Sequence, residues 1–112
     1  MNLHEMLTKT AEAEAFYRLA YENATESVRL TARLVGERER KWKEACERLD
    51  RLKEAEGIDP EGLEEARKAE AVAYDAMAEA EDAYYTATNE ERKCEEAYEA
   101  ARRFYAALQA FK

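Results

Sequence analysis

A single stop-and-start signal, Glu56-Gly57-Ile58-Asp59-Pro60-Glu61, divides a chain that carries little else able to end a helix. Gly57 suits the left-handed position just past a helix C-terminus, and Asp59 can cap the helix that follows. Pro60 fits the first helical position, where no amide hydrogen is required. Ile58 before the cap and Leu63 in the first turn can pack as a hydrophobic staple.

On both sides of this turn the composition is helical. Ala, Glu, Arg, Leu and Lys fill 72 of 112 positions, whereas Val and Ile together number four, so a β-sheet is excluded. Tyr21, Ala24, Val28, Thr31, Val35, Arg38, Trp42, Ala45, Leu49 and Leu52 recur at alternating spacings of three and four. The rhythm returns downstream in Leu63, Ala66, Glu70, Ala73, Met77, Ala80, Tyr84, Ala87, Glu91, Cys94, Tyr98, Ala101, Tyr105 and Leu108. Such spacing lays each set along one seam of a helix, as in a coiled coil, and the alanine column of the second seam lets two backbones approach closely.

The expected fold is therefore all-α, a single helical domain over residues 1–112. It forms an antiparallel, coiled-coil-like hairpin of helix 1 (about 2–56), turn 57–60 and helix 2 (about 60–111), dimerising into a four-helix bundle. The alternative is a single-chain bundle of three or four helices, broken near Gly36 and near Asn89, where Thr88-Asn89-Glu90-Glu91 has the letters of a capping box. If the chain folds back at the turn, facing residues have numbers adding to roughly 115, which sets Tyr17 opposite Tyr98, Tyr21 opposite Cys94 and Trp42 opposite Ala73. A slip in the rhythm is expected at Ala13, Tyr17 and Tyr21, which follow one another in successive fours.

Both helices carry more apolar surface than one seam can cover. Phe16, Leu19, Leu30 and Leu34 form a second stripe on helix 1, and Val72, Tyr74, Tyr85, Phe104 and Phe111 lie off the seam of helix 2. These groups call for a protein surface, either a second copy of the chain or a docked partner, with Phe16, Leu19, Leu30, Leu34, Tyr74, Tyr85, Phe104 and Phe111 as candidate contacts. At the end of the hairpin remote from the turn, Phe16, Tyr17, Tyr98, Phe104, Tyr105 and Phe111 are expected to gather as an aromatic cluster.

The net charge of -8 argues against direct binding to nucleic acid or an anionic membrane, and favours a basic target protein. Asp75, Glu79 and Asp82 are expected to pair across the hairpin with Arg33, Arg40 and Lys41. Glu90, Glu91, Glu95, Glu96 and Glu99 face a stretch whose only basic residue is Arg18, so even with Glu99 paired to Arg103 they form a candidate acidic contact surface.

No catalytic residue, cofactor or metal ligand is indicated. His4 is the only histidine and lies in the first turn, and Cys46 and Cys94 are too few and too widely spaced for a zinc site or a disulfide scaffold. Glu95-Glu96-Ala97-Tyr98-Glu99 resembles the Glu-Glu-x-x-Glu element of the MazG-like nucleotide pyrophosphohydrolases, but the Glu-x-x-Asp element that family places later is missing. The hairpin plan is also similar to the small Trp-x-Gly substrates of type VII secretion, although this turn lacks that motif and Trp42 lies inside helix 1. No apolar run approaches a membrane span and the first ten residues lack the features of a signal peptide, so a cytoplasmic location is expected. The function expected is that of a non-enzymatic helical interaction protein, an oligomerising adaptor or assembly factor. The alternative is a small acidic inhibitor, a phage-type antagonist or nucleic-acid mimic, that occupies a basic groove on its target.

Overall fold

The structure, a computed structural model, describes every residue except Glu56, Ile58 and Lys112. It is an antiparallel hairpin of two long helices, α1 (Leu3–Glu54) and α2 (Pro60–Gln109). Each ends two residues short of its expected limit at the C-terminal side.

The helix boundaries follow from capping chemistry. Asn2 caps α1: its Oδ1 accepts from the Glu5 amide at 2.8 Å while its Nδ2 donates to Glu5 Oε1 at 3.2 Å, a reciprocal arrangement that satisfies an otherwise orphaned amide. At the turn, Gly57 takes a left-handed φ of 72°, as expected of a residue that follows a helix end. Asp59 Oδ1 accepts from the Glu61 amide at 3.1 Å, and the Asp59 carbonyl accepts from the Leu63 amide at 3.0 Å, which places Pro60 at the first helical position. The proposed staple partner Ile58 lies outside the described residues.

Neither expected interruption occurs. Gly36 and Asn89 both lie inside unbroken helix, so the three- or four-helix alternative is incorrect. A mid-helix glycine costs about 1 kcal/mol relative to alanine, and the seam on either side of Gly36 outweighs that. The capping-box letters at Thr88 to Glu91 do not act as a cap because the chain there never leaves the helix.

Every residue of the two expected seams is buried or half-buried. The α1 seam also continues further toward the N-terminus than its apolar pattern suggests. Leu7 and Thr10 are buried, Glu14 is half-buried and Ala13 is exposed, so the three-four rhythm runs through Glu14, Thr10 and Leu7 without the expected slip, with Tyr17 38% exposed at the edge of the seam. Thr10 meets the demands of its position by donating its hydroxyl to the Met6 carbonyl at 2.6 Å.

The helices are shared by two compact units, one made of Leu30–Tyr85 and the other of Met1–Arg29 with Thr86–Lys112. In the Leu30–Tyr85 unit the best-buried side chains are small or slender: Ala66 and Ala80 are each 1% exposed and Met77 is 7% exposed. Polar groups pin the two helices together here. Trp42 Nε1 donates to Glu70 Oε1 at 2.9 Å, and Arg38 Nη1 donates to the Ala76 carbonyl at 2.9 Å. The Trp42 ring also meets Tyr74 edge to face, with centroids 5.6 Å apart.

In the terminal unit Leu7, Ala24, Ala87 and Leu108 are buried, and Tyr21 stacks on Tyr98 at 6.0 Å. The fold-back rule thus gives the antiparallel register to within a few residues but misassigns this aromatic layer, where Tyr98 meets Tyr21 and not Tyr17. Tyr17 instead meets Phe16 edge to face at 5.4 Å, so the single aromatic cluster expected here is divided.

Candidate interaction surface

An all-helical pair buries one stripe per helix, and whatever lies off that stripe is available to other molecules. Among the described residues, Phe16 is 67% exposed, Leu19 57%, Leu30 50%, Val72 69%, Tyr85 65%, Phe104 57% and Phe111 75%. Of the second stripe expected on α1, only Leu34 is half-buried. Tyr74 is 49% exposed, but its ring is already engaged by Trp42.

Each unit has a shallow apolar groove between its two helices. In the Leu30–Tyr85 unit, Ala69, Val72, Ala73 and Ala76 form the floor, and the cations Arg38, Lys41 and Lys68 form the rim. In the terminal unit, Ala13, Ala97, Ala100 and Ala101 form the floor, and Tyr17, Phe104 and Lys9 rise at its edges. Both grooves exist because small residues flank the alanine column of α2, so the backbone is close to the surface and no side chain fills the space. The first groove leaves no mark in the sequence because its lining is mostly alanine and the stems of long cations, neither of which stands out in an apolar pattern.

The acidic surface is partly as expected. Glu90, Glu95 and Glu96 are exposed, whereas Glu91 and Glu99 are half-buried. Glu99 pairs with Arg103 at 3.5 Å, and Glu90 accepts a hydrogen bond from Cys94 Sγ at 3.8 Å. Three of these carboxylates act electrostatically on Tyr21. Glu95 pushes the phenol above its ordinary value most strongly, followed by desolvation and then by Glu91 and Glu99, while a hydrogen bond with Thr25 pulls it down.

The expected cross-helix ion pairs are absent. Among the described residues, the ion pairs are Arg29 with Glu26, Lys43 with Glu39 and Arg103 with Glu99, each within one helix turn, and none joins Asp75, Glu79 or Asp82 to Arg33, Arg40 or Lys41. Exposed charges on long side chains gain little from pairing and are as well served by water.

Cys46 and Cys94 are free thiols. Burial pushes both above the ordinary thiol range, with Glu70, Asp50 and Glu47 adding to the effect at Cys46 and Glu90 at Cys94. A thiol held protonated in this way is a poor nucleophile. His4 lines a small depression with Leu7, Thr8, Ala11, Glu12 and Tyr105. Among the described residues, no group of three or more His, Cys, Asp or Glu side chains is placed to hold a metal ion, and no helix is long and apolar enough to cross a membrane.

Comparison with protein families, with curated proteins and with solved structures finds no match to this chain.

Proposed function

We propose that the chain is a non-enzymatic helical interaction protein that works by self-association, as an oligomerising adaptor or assembly factor. The observation that carries this reading is the exposure of large apolar side chains, Phe16, Leu19, Leu30, Val72, Tyr85, Phe104 and Phe111, on a pair of helices whose own seam is already complete. Aromatic side chains dominate the energetics of protein interfaces, and leaving several of them in water is unfavourable by about 1.5–3 kcal/mol each relative to full burial. Sedimentation equilibrium of the full chain tests it. Association is expected at micromolar concentration, and the double substitution Phe16→Ser with Phe104→Ser should abolish it while the helical circular dichroism signal persists. A wild-type monomer at every concentration measured refutes the reading.

A second reading, an acidic inhibitor that occupies a basic groove of another protein, is favoured by the exposure of Glu90, Glu95 and Glu96 along one stretch of α2. Its binding would weaken steeply with salt. Reversing Glu91, Glu95, Glu96 and Glu99 to Lys should then abolish binding to a basic target, and unchanged binding eliminates the acidic surface as the contact.

A further inference from the structure

We propose that the groove of the Leu30–Tyr85 unit is the docking site for an amphipathic helix of another protein, one that carries carboxylates on both flanks of its apolar stripe. This contact is independent of the self-association proposed above, whose test substitutions, Phe16→Ser and Phe104→Ser, lie in the other unit.

The floor has the spacing that receives a helix. Ala69, Val72, Ala73 and Ala76 stand at i, i+3, i+4 and i+7 along α2, and all four line the groove. They cover about 10 Å of helix axis, which matches two turns of a docked helix. Because three of the four are alanine, a partner backbone can approach closely and its large apolar side chains find room. Val72, 69% exposed, is the apolar group that meets them.

The rim sets the charge of the partner. Every charged residue that lines the groove is a cation, Arg38, Lys41 or Lys68, in a chain with 26 acidic residues against 18 basic ones. Among the described residues, none of the three enters an ion pair. Arg38 gives one donor to the Ala76 carbonyl, which anchors its guanidinium at the end of the floor remote from the turn without neutralising it. Lys41 follows one helical turn along α1, and Lys68 stands one turn before Val72 on the row of α2 farthest from the seam. Cations therefore bound the floor on both sides, and carboxylates on both flanks of a docked helix complement them.

The shape selects a helix over other apolar anions. Small-molecule sites enclose most of a ligand's surface, whereas an acyl chain laid in this shallow groove would keep one side in water. A helix has a polar face for that side. A second copy that laid the same groove on this one about a two-fold axis would set cation against cation.

The probe is a fluorescein-labelled synthetic helix with Leu at i, i+3, i+4 and i+7 and Glu on both flanks, read by fluorescence anisotropy against the full chain. It should bind at micromolar concentration and about tenfold tighter than the same helix with Lys in place of Glu, a preference that shrinks with added salt. Lys41→Glu combined with Lys68→Glu, both at exposed positions, should weaken the Glu-flanked helix about tenfold and favour the Lys-flanked one. Lys9→Glu, at the edge of the terminal groove, should change neither. Helix binding that persists in the chain carrying Phe16→Ser and Phe104→Ser sustains the site whether or not the chain self-associates. Absent binding, equal binding of the two helices, or binding that the Lys41 and Lys68 reversals leave unchanged overturns the proposal. Dodecanoate that binds more tightly than the Glu-flanked helix overturns it in favour of an acyl carboxylate. Loss of self-association on the Lys41 and Lys68 reversals, with no helix binding to the wild-type chain, overturns it in favour of a second copy.

Discussion

The turn-proximal unit and the terminal unit share one seam pattern but hold their helices together by different chemistry. Between Leu30 and Tyr85, directional hydrogen bonds cross the seam: the Trp42 indole to Glu70 and the Arg38 guanidinium to the Ala76 carbonyl. In the terminal unit the central layer is the stack of Tyr21 on Tyr98, flanked by the Arg102 guanidinium 5.8 Å from the Tyr98 ring and by the carboxylates around Tyr21. Directional bonds have narrow distance and angle requirements, so they define which residues face each other, whereas stacked rings tolerate sliding. The difference indicates that facing residues are defined more narrowly in the turn-proximal unit than in the terminal one.

The largest effect should come from removing a pin. Trp42→Ala is expected to lower unfolding free energy by about 3 kcal/mol in urea denaturation, since it deletes a large half-buried ring and leaves Glu70 without its donor. Trp42→Phe keeps most of the packing and should cost about 1 kcal/mol, the contribution of one hydrogen bond. If Tyr98→Ala costs as much as Trp42→Ala, the contrast between pinned and stacked units fails.

Backbone substitutions sharpen the role of the turn. Gly57→Ala forces a side chain into the left-handed region and should destabilise by about 1 kcal/mol, whereas Gly36→Ala meets nothing within 4 Å and should stabilise by about 0.5–1 kcal/mol through higher helix propensity. Equal effects of the two substitutions would mean that the Gly57 conformation is not required.

The smallest effects concern pH. The Tyr21 phenol is raised above its ordinary value of 10.0, so the folded chain holds that proton more tightly than the unfolded chain does. Its contribution to stability is complete below about pH 10 and is lost as pH rises through the folded-state value. Thermal unfolding should therefore show a melting temperature that declines above about pH 10, and Tyr21→Phe should reduce the decline, while Trp42 variants leave its shape unchanged. Cys46 and Cys94, both raised as well, should alkylate slowly with iodoacetamide at pH 8 and faster at higher pH.

Most of the fold is legible in the amino-acid order because a seven-residue apolar rhythm has few alternative solutions. Every seam residue from Tyr21 onward on α1, and every one on α2, lies where its spacing places it. The rhythm was lost toward the N-terminus because Thr10 and Glu14 occupy seam positions with polar side chains, which a search for apolar periodicity passes over. Side-chain direction was the other loss. Numbers that add to a constant give the facing backbone, yet a long ring such as Tyr98 reaches a neighbour one turn away. The same reach explains Arg38, which bonds a carbonyl of the facing helix and not a carboxylate. Phe16, Leu19, Leu30, Tyr85, Phe104 and Phe111 are exposed and Leu34 is half-buried, but the grooves depend on what alanine leaves unfilled, and an empty volume has no letter of its own.

The seven-residue rhythm of the seams makes the hairpin divisible. Because the seam returns to the same state every seven residues on both helices, seven residues removed from α1 and seven from the facing part of α2 leave all remaining seam partners matched. Each such excision shortens both helices by about 10 Å. Excision from one helix alone preserves its own rhythm but leaves an overhang of the same length at the terminal end. The chain is in this sense graduated, with its length adjustable in fixed increments that the turn does not register.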